Sequence, residues 1–156
     1  MNQKPFELET VNLTEICQDT AKRLHVATNR TIHYEADAEP VLVLFNEERL
    51  IQVLIILLDN AIKYSEEDIH LRVYQSERGP AIQLIDHGIG IPKKEIARLF
   101  ERFYRVDKSR TRATGGSGLG LTIAKSLIEQ SGGSIAIDSE VGIGTTVTVV
   151  FKGAPS

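Results

Sequence analysis

The stretch IILLDNAIKYS (Ile55–Ser65) changes character within a turn and a half of a predicted helix. It begins as an apolar segment and then presents Asn60, Lys63 and Tyr64, whose spacings of three and four residues place them on one side of the helix. An unpaired buried amide costs about 1–3 kcal/mol, so an asparagine at the end of a buried run needs a partner. These residues alone leave two explanations equally open: the helix emerges into solvent, or it forms one wall of a binding site.

The composition predicts one folded domain over residues 1–156, since 42% hydrophobic content in a chain of this length is enough for a core. A net charge of −3 disfavours nucleic acid or an anionic membrane as the main partner. The single cysteine, Cys17, excludes an internal disulfide and fits a reducing compartment. No apolar run approaches the ~18 residues that a membrane span needs. We therefore expect a soluble intracellular domain.

Helix and strand signals continue on both sides of the opening stretch. Asn46 is a good N-cap, and the two glutamates after it suit the positive end of a helix that we predict to run to Tyr64. Hydrophobic periodicity predicts further helices over 13–24, 93–100 and 120–130, and strands over 31–36, 41–45, 69–75, 81–86, 134–139 and 145–151. The last four strands form two hairpins. The predicted fold class is α+β, a two-layer sandwich in which a mixed, mostly antiparallel sheet of about five strands packs against three helices.

The segment DHGIGIP (residues 86–92) places a carboxylate at the end of an apolar strand, followed by two glycines. Asp86 is an acceptor that suits the exocyclic amine of a purine, and the glycines let a flat ligand approach the backbone. On these residues alone, an ordinary turn capped by Asp86 is the stronger explanation. His87 has no second ligand at metal-like spacing, so we interpret it as a residue that binds no metal.

The segment GGSGLGLTIAKS (residues 115–126) leads glycines into a helix N-terminus, where exposed N–H groups can hold phosphates. It is not a P-loop, because Lys125 comes five residues after Gly120 rather than directly after it. A dinucleotide-binding fold is also excluded, since the residues before the glycines are polar and basic instead of a strand. By itself this glycine signal is weak.

Five basic residues lie between Phe100 and Arg112 of an otherwise acidic chain. A solvated loop is the usual explanation for such a run. Directly before a glycine-rich segment, it also fits a cationic lid, because arginine can pair with a terminal phosphate through two N–H bonds.

The order of these four features resembles the catalytic and ATP-binding domain of sensor histidine kinases, within the gyrase, chaperone and histidine-kinase ATPase superfamily. The resemblance runs from about Phe6 to Phe151. Its five motifs are the N box LLDNAIKYS (57–65), the G1 box DHGIGIP (86–92), the F box LFERFYR (99–105), the G2 box GGSGLGLTIAK (115–125) and the G3 box GIGTT (142–146). The resemblance implies the Bergerat ATP-binding fold, with ATP and Mg²⁺ as ligands.

Carried over to this chain, the resemblance implies a role for individual residues and no general acid or base. Asn60 ligates Mg²⁺, Lys63 reaches toward the phosphates, Tyr64 lies against the adenine and Asp86 accepts from its amino group. Other residues implied at the nucleotide are Gly88, Gly90 and Ile91 near the base, Arg102 and Arg105 at the γ-phosphate, Ser117, Gly118, Leu119 and Gly120 around the phosphates, and Leu121 and Thr145.

The chain departs from the family pattern at Ile56, four residues before the N-box asparagine, where the family often has Asn and its hydrolysing relatives have Glu. Ile56 can neither bind Mg²⁺ nor activate a water, and Asp59 is turned about 100° off the ligand face. His87 stands where asparagine is common. A further departure is that none of the four histidines lies in the H-E/D-x-x-x-P context of a phosphoacceptor.

The resemblance implies that the chain binds Mg-ATP and transfers the γ-phosphoryl group to a histidine on a separate dimerisation and phosphoacceptor hairpin, with a response regulator downstream. We expect the chain to be the C-terminal part of a larger, membrane-anchored homodimeric sensor, located at the cytoplasmic face. One alternative is an anti-sigma-type serine kinase or ATPase of the same superfamily, for which an acidic residue at position 56 is expected. Another is a nucleotide-binding module without transfer activity.

Overall fold

The computed structural model describes residues 7–96 and 120–154. The strands are β1 (Glu9–Asn12), β2 (Ile32–Ala36), β3 (Leu42–Phe45), β4 (Ile69–Ser76), β5 (Gly79–Asp86), β6 (Ser134–Glu140) and β7 (Gly144–Val150). The helices are α1 (Leu13–Thr28), α2 (Glu47–Tyr64), α3 (Lys93–Ile96) and α4 (Gly120–Gln130).

The main sheet has five strands in the order β2-β4-β5-β7-β6. The β2–β4 pair is parallel and the other three pairs are antiparallel, so the predicted mixed, mostly antiparallel sheet is confirmed. The predicted strands over 31–36 and 41–45 form but do not pair with each other. The first becomes β2 beside β4, and the second becomes β3, which pairs with β1 in a separate two-stranded sheet.

The three longer helices in the described ranges cover one face of this sheet. Helix α1 contacts β2 and β4, α2 contacts β5, and α4 contacts β6. Helix α2 also packs against both α1 and α4. Strand β4 alternates accordingly, since Ile69, Leu71 and Val73 are buried under the helices while Arg72 on the other face is exposed. A two-layer sandwich results, as the sequence predicts.

Helix α2 is the central helix of this layer. The Asn46 side chain accepts a hydrogen bond from the Arg49 amide at 3.1 Å, which confirms it as the N-cap. Its buried residues are Leu50, Val53, Leu54, Leu57, Leu58 and Ala61, whereas Ile51 and Ile62, which the sequence pattern also predicts to be buried, are half-buried. Because helices and sheet enclose α2 on several sides, its buried stripe is wider than one simple face.

Several predicted elements lie wholly or partly outside the described residues. The helix predicted over 93–100 begins as α3, of which the structure describes Lys93–Ile96. The F box, the basic segment and the first five residues of the G2 box lie outside, and so do Arg102, Arg105, Ser117, Gly118 and Leu119. Their roles stay predictions. Within residues 7–96 and 120–154, no helix is long and apolar enough to cross a membrane.

Candidate functional site

The C-terminal half of α2 lies between two glycine-containing segments. At Ile56, the γ2 methyl group is 3.3 Å from the position that a Cβ on Gly120 would occupy, so the first residue of α4 packs directly on this turn. At Tyr64, the main-chain carbonyl lies so close to Gly88 that any Cβ there would overlap it. Eight helical residues, about 12 Å, separate these two contacts. Asn60 lies midway between them on the same helical stripe.

Asp86 ends β5 on the side of the sheet that faces the helices. It is 9% exposed, and its Oδ1 accepts a hydrogen bond from the Gly88 amide at 2.9 Å. Burial raises the pKa of this carboxyl above its ordinary value of 3.8, while hydrogen bonds from the Gly88 and Thr145 amides and the nearby His87 act in the opposite direction. The structure therefore confirms that Asp86 bonds local amides, as the simple turn explanation requires, and in addition it leaves a largely buried acceptor beside the end of α2.

The turn after β5 rests on the β6–β7 hairpin. Gly144 has φ of +141°, and a Cβ there would overlap the Asp86 carbonyl oxygen. Gly90 has φ of +76°, and a Cβ there would overlap the Glu140 carbonyl. The Ile89 carbonyl also accepts from the Gly142 amide at 2.9 Å. These close backbone contacts fix the turn at the position from which Asp86 faces α2.

Ser139, a residue that the sequence reasoning missed, connects both sides of this contact. It is buried on β6, and its Oγ donates to the Gly144 carbonyl at 3.0 Å and accepts from the Ile91 amide at 2.8 Å. The same Oγ lies 2.7 Å from the Thr145 hydroxyl. The available signal was a serine at an inward position of an otherwise apolar strand pattern.

Lys63, predicted to reach toward phosphates, forms an ion pair with Asp59, with 3.0 Å between Nζ and Oδ2. The sequence reasoning set Asp59 aside as turned off the ligand face. However, residues four apart on a helix are neighbours, and their long side chains meet. An ion pair with a half-exposed partner contributes little free energy, so the ammonium group can exchange Asp59 for another anion at small cost.

Asn60 is half-buried, and its side chain makes no hydrogen bond to another residue in the described ranges. Its amide oxygen is a hard neutral ligand that suits Mg²⁺, which usually takes only one or two protein ligands and completes its shell with water and phosphate oxygens. Within residues 7–96 and 120–154, no group of three or more His, Cys, Asp or Glu side chains could hold a metal ion. A half-buried amide oxygen such as that of Asn60 fits a magnesium ion that arrives with a phosphate ligand.

His87 points away from this arrangement. Its ring lies 5.8 Å from that of His70, which in turn stacks on His33 at 4.7 Å. The Nε2 of His33 is 2.7 Å from Asp68 Oδ2. These histidines lie on the face of the sheet that the helices leave open, where an open depression is lined by Glu67, Asp68, His70, His87, Gly142 and Ile143.

The described part of the predicted site lies on four elements that meet around α2. It comprises Asn60, Lys63 and Tyr64 on α2, Asp86, Gly88, Gly90 and Ile91 after β5, Thr145 on β7, and Gly120 and Leu121 at the start of α4. Their convergence comes from α2, which contacts both β5 and α4.

Comparison with known proteins agrees with this geometry. The family described as histidine kinase-, DNA gyrase B- and HSP90-like ATPases matches residues 45–155. The sensor histidine kinase YkoH of Bacillus subtilis is 44% identical over 94% of the chain, and the histidine-protein kinase ArlS of Staphylococcus haemolyticus is 38% identical over 97%. The chain spans about a third of the length of these two relatives, 32% and 34%.

Solved structures with a similar fold are also histidine kinases. A mycobacterial sensor histidine kinase, MprB, superposes with a TM-score of 0.79 at 30% identity, over 96% of this chain and 99% of that one. Full-length ShkA, in complex with AMPPNP, has a TM-score of 0.80 at 25% identity, over 98% of this chain and 33% of that one. The chain belongs to the family of histidine kinase-, DNA gyrase B- and HSP90-like ATPases, as a catalytic and ATP-binding domain of the histidine-kinase type.

The two glycines of the β6–β7 hairpin offer a matched test of the backbone contact below Asp86. Gly142 has φ of +82° with nothing near its Cβ position, so Gly142→Ala should lower the free energy of unfolding by about 1–2 kcal/mol from conformational strain alone. Gly144→Ala adds overlap with the Asp86 carbonyl and should destabilise clearly more. Urea unfolding of both variants measures the difference. Equal destabilisation would contradict the close approach of β7 to the turn after β5.

Proposed function

We propose that this chain binds Mg-ATP and transfers the γ-phosphoryl group to a histidine on a separate helical hairpin. The observation that carries the proposal is the arrangement along α2. The buried carboxylate of Asp86 lies beside the C-terminal end of α2. Gly120 contacts the same helix at Ile56, about 12 Å from that end, and Asn60 lies between the two contacts. That spacing accommodates an extended nucleotide with its base at one end and its phosphates at the other.

The base end is assigned to Asp86 because adenine presents an exocyclic amine that needs an acceptor. One oxygen of Asp86 already accepts from the Gly88 amide, which orients the carboxylate and leaves acceptor capacity on the group. The Tyr64 carbonyl fills the space where a side chain at position 88 would lie, so Gly88 is required by the contact between α2 and the turn that carries Asp86. Tyr64 at the end of α2 supplies an aromatic surface beside it.

The phosphate end is assigned to the start of α4 and the stripe on α2. The N-terminal end of α4 at Gly120 favours negative charge through the helix dipole. When bound, Mg²⁺ neutralises charge on the phosphates. Asn60 would hold the ion, and Lys63 would leave Asp59 for a phosphate oxygen. Ser117, Gly118 and Leu119 would complete the cradle, and Arg102 and Arg105 would contact the γ-phosphate.

Histidine is favoured over water or serine as the acceptor by the environment of Ile56. This side chain packs against Gly120, so an apolar group occupies the position from which a carboxylate would have to activate water or a hydroxyl. Asp59, the neighbouring carboxylate on α2, is turned about 100° from Asn60 around the helix axis. An imidazole is itself a nucleophile, so transfer to histidine needs positioning and charge neutralisation without a general base. In the transfer, the bond from the γ-phosphorus to the ADP oxygen breaks as a nitrogen–phosphorus bond forms.

The partners follow from the kind of protein to which the relatives belong. YkoH and ArlS are both described as histidine kinases and are about three times as long as this chain. We assign the acceptor histidine to a dimerisation hairpin of the same parent protein, a homodimer anchored at the cytoplasmic face of the membrane, with a response regulator as the next acceptor. ShkA, with AMPPNP in its structure, supports an ATP-type ligand for this fold.

Nucleotide binding is tested by titrating the domain with ADP in the presence and absence of Mg²⁺. Asn60→Ala should remove most of the affinity gained from Mg²⁺ but keep the metal-independent part, because Asn60 contacts the ion alone. Asp86→Asn should weaken binding about tenfold or more in both conditions, since a buried hydrogen-bond partner of the base is lost. Calorimetry gives both dissociation constants. Unchanged affinity in both variants, with wild-type circular dichroism, would refute the assigned site.

The raised pKa of Asp86 predicts how binding depends on pH. A carboxyl whose pKa is raised takes up its proton at a higher pH, so affinity for ADP should begin to fall on acidification above the pH expected from the ordinary value of 3.8. Asp86→Asn should lack this part of the pH dependence while keeping any contribution from the nucleotide itself. Titrations between pH 4.5 and 7.5 measure the affinity of both proteins for ADP. If the wild type and Asp86→Asn showed the same pH dependence, a group other than Asp86 would be responsible for it.

Transfer is tested by mixing the domain with the dimerisation hairpin of its parent protein and ATP labelled at the γ-position. The label should appear on the hairpin as phosphohistidine, which is labile to acid and stable to alkali, and it should not appear with Asn60→Ala. Acid-stable label would instead indicate a serine kinase. Release of inorganic phosphate at the same rate with and without the hairpin would indicate an ATPase.

A further inference from the structure

Arg30 lies in the short connection between α1 and β2, outside every motif of the family pattern. The connection turns at Asn29, which caps α1 with a left-handed φ of 57° and donates its amide to the His25 carbonyl at 2.8 Å. The His25 ring nitrogen Nδ1 lies 2.7 Å from the Arg30 carbonyl oxygen. These two contacts hold the backbone so that the Arg30 side chain extends toward the end of α2.

The guanidinium group of Arg30 donates to three main-chain carbonyls. Nη1 donates to Ile62 at 2.9 Å, and Nη2 donates to Ser65 at 2.6 Å and to Glu67 at 2.8 Å. The last carbonyls of a helix have no partner within the helix and carry its negative dipole end. A planar cation with several donors satisfies them together, and it ties the last turn of α2 to the loop that follows.

These contacts lie directly next to the nucleotide site. Tyr64 comes between the carbonyls of Ile62 and Ser65, and its own carbonyl lies against Gly88. The Gly88 amide is hydrogen-bonded to Asp86. A continuous series of contacts therefore runs from Arg30 through the last turn of α2 to the turn that carries Asp86.

We propose that Arg30 is a positioning residue of the nucleotide site. It holds the end of α2 at the distance from the Asp86 turn that places Tyr64 and Lys63 around a bound nucleotide. This inference rests on the proposed nucleotide site, but it concerns a residue that touches none of the ligand. Asn60 lies a turn further from the helix end, next to the buried Leu57 and Ala61, so we expect it to keep its position when Arg30 is replaced.

A lysine at position 30 cannot replace this arrangement. Its ammonium group is a single point on a flexible stem, whereas the guanidinium reaches the three carbonyls from two nitrogens held in one plane. The ion pair of Lys63 with Asp59 is contained within α2 and does not link the helix to its surroundings. Arg30 is thus the cationic group that connects the helix end to a different element.

The experiment compares Arg30→Met with Arg23→Met, which removes an exposed arginine of α1 and has the same effect on net charge. Circular dichroism first sets a temperature at which all variants are folded. Calorimetric titration with ADP should then give about tenfold weaker binding for Arg30→Met. The reason is that Tyr64 and Lys63 shift when the end of α2 is released, and small displacements of groups that contact a ligand weaken their interactions strongly. The loss should be the same with and without Mg²⁺, and Arg23→Met should bind as the wild type does.

Hydrogen exchange of the nucleotide-free protein provides a readout that does not depend on binding. Arg30→Met should speed exchange at the Gly88 amide as well as around residues 65–67, while Arg23→Met leaves both unchanged. Arg30→Lys, which keeps the charge, should give a smaller change in the same direction in both measurements. It also serves as the test variant if Arg30→Met does not fold.

Wild-type affinity in folded Arg30→Met, or in Arg30→Lys where only that variant folds, together with unchanged exchange at Gly88, would overturn the proposal. Failure of the wild-type protein to bind ADP would be a different result, because it would remove the nucleotide site itself. In that case exchange at Gly88 still decides whether Arg30 controls the contact between α2 and the Asp86 turn.

Discussion

The structure depends on how closely the end of α2 approaches the turn after β5. The Tyr64 carbonyl occupies the space where a side chain at position 88 would lie, so only glycine allows the two elements to meet. This contact places a buried carboxylate beside the polar end of an otherwise apolar helix. Without this contact, Asp86 would only cap the turn after β5, and the helix would emerge into solvent at Asn60.

Both partners in this contact are supported from outside. On one side, the β6–β7 hairpin lies under the turn through Gly90, Gly144 and the Ser139 hydroxyl. On the other side, Arg30 donates to the Ile62 carbonyl in the last turn of α2 and to the Ser65 carbonyl directly after it. Close-packed interiors transmit small displacements rather than absorb them, so these supports determine the geometry of the site although none belongs to its ligand-facing surface. Burial in this packed region raises the pKa of Asp86, while the Gly88 and Thr145 amides that orient the carboxylate act in the opposite direction.

Sequence reasoning succeeded where the signal is local. The start of α2 followed from Asn46, whose side chain bonds an amide three residues later, and the hairpins followed from alternating residues around short turns. It failed where partners are distant in sequence. The pairing of β2 with β4 rather than with β3 depends on a crossover through α2, and Arg30 meets carbonyls 32 to 37 residues further along the chain. The pairing of Lys63 with Asp59 was local but was missed, because the sequence reasoning placed Asp59 only relative to Asn60, about 100° away around the helix, and not relative to Lys63, four residues on and about 40° away.

The sequence by itself determined an order of polar and glycine residues that resembles the ATP-binding motifs of sensor histidine kinases, although each motif alone left an ordinary helix end, turn or loop open. It also determined that position 56 is apolar, which restricts the chemistry. Only the tertiary structure decided that these residues face one another over about 12 Å of helix, and that Ser139 and Arg30 support them. The physical reason is that side-chain chemistry is a property of each residue, whereas distance between elements results from the packing of the whole sandwich.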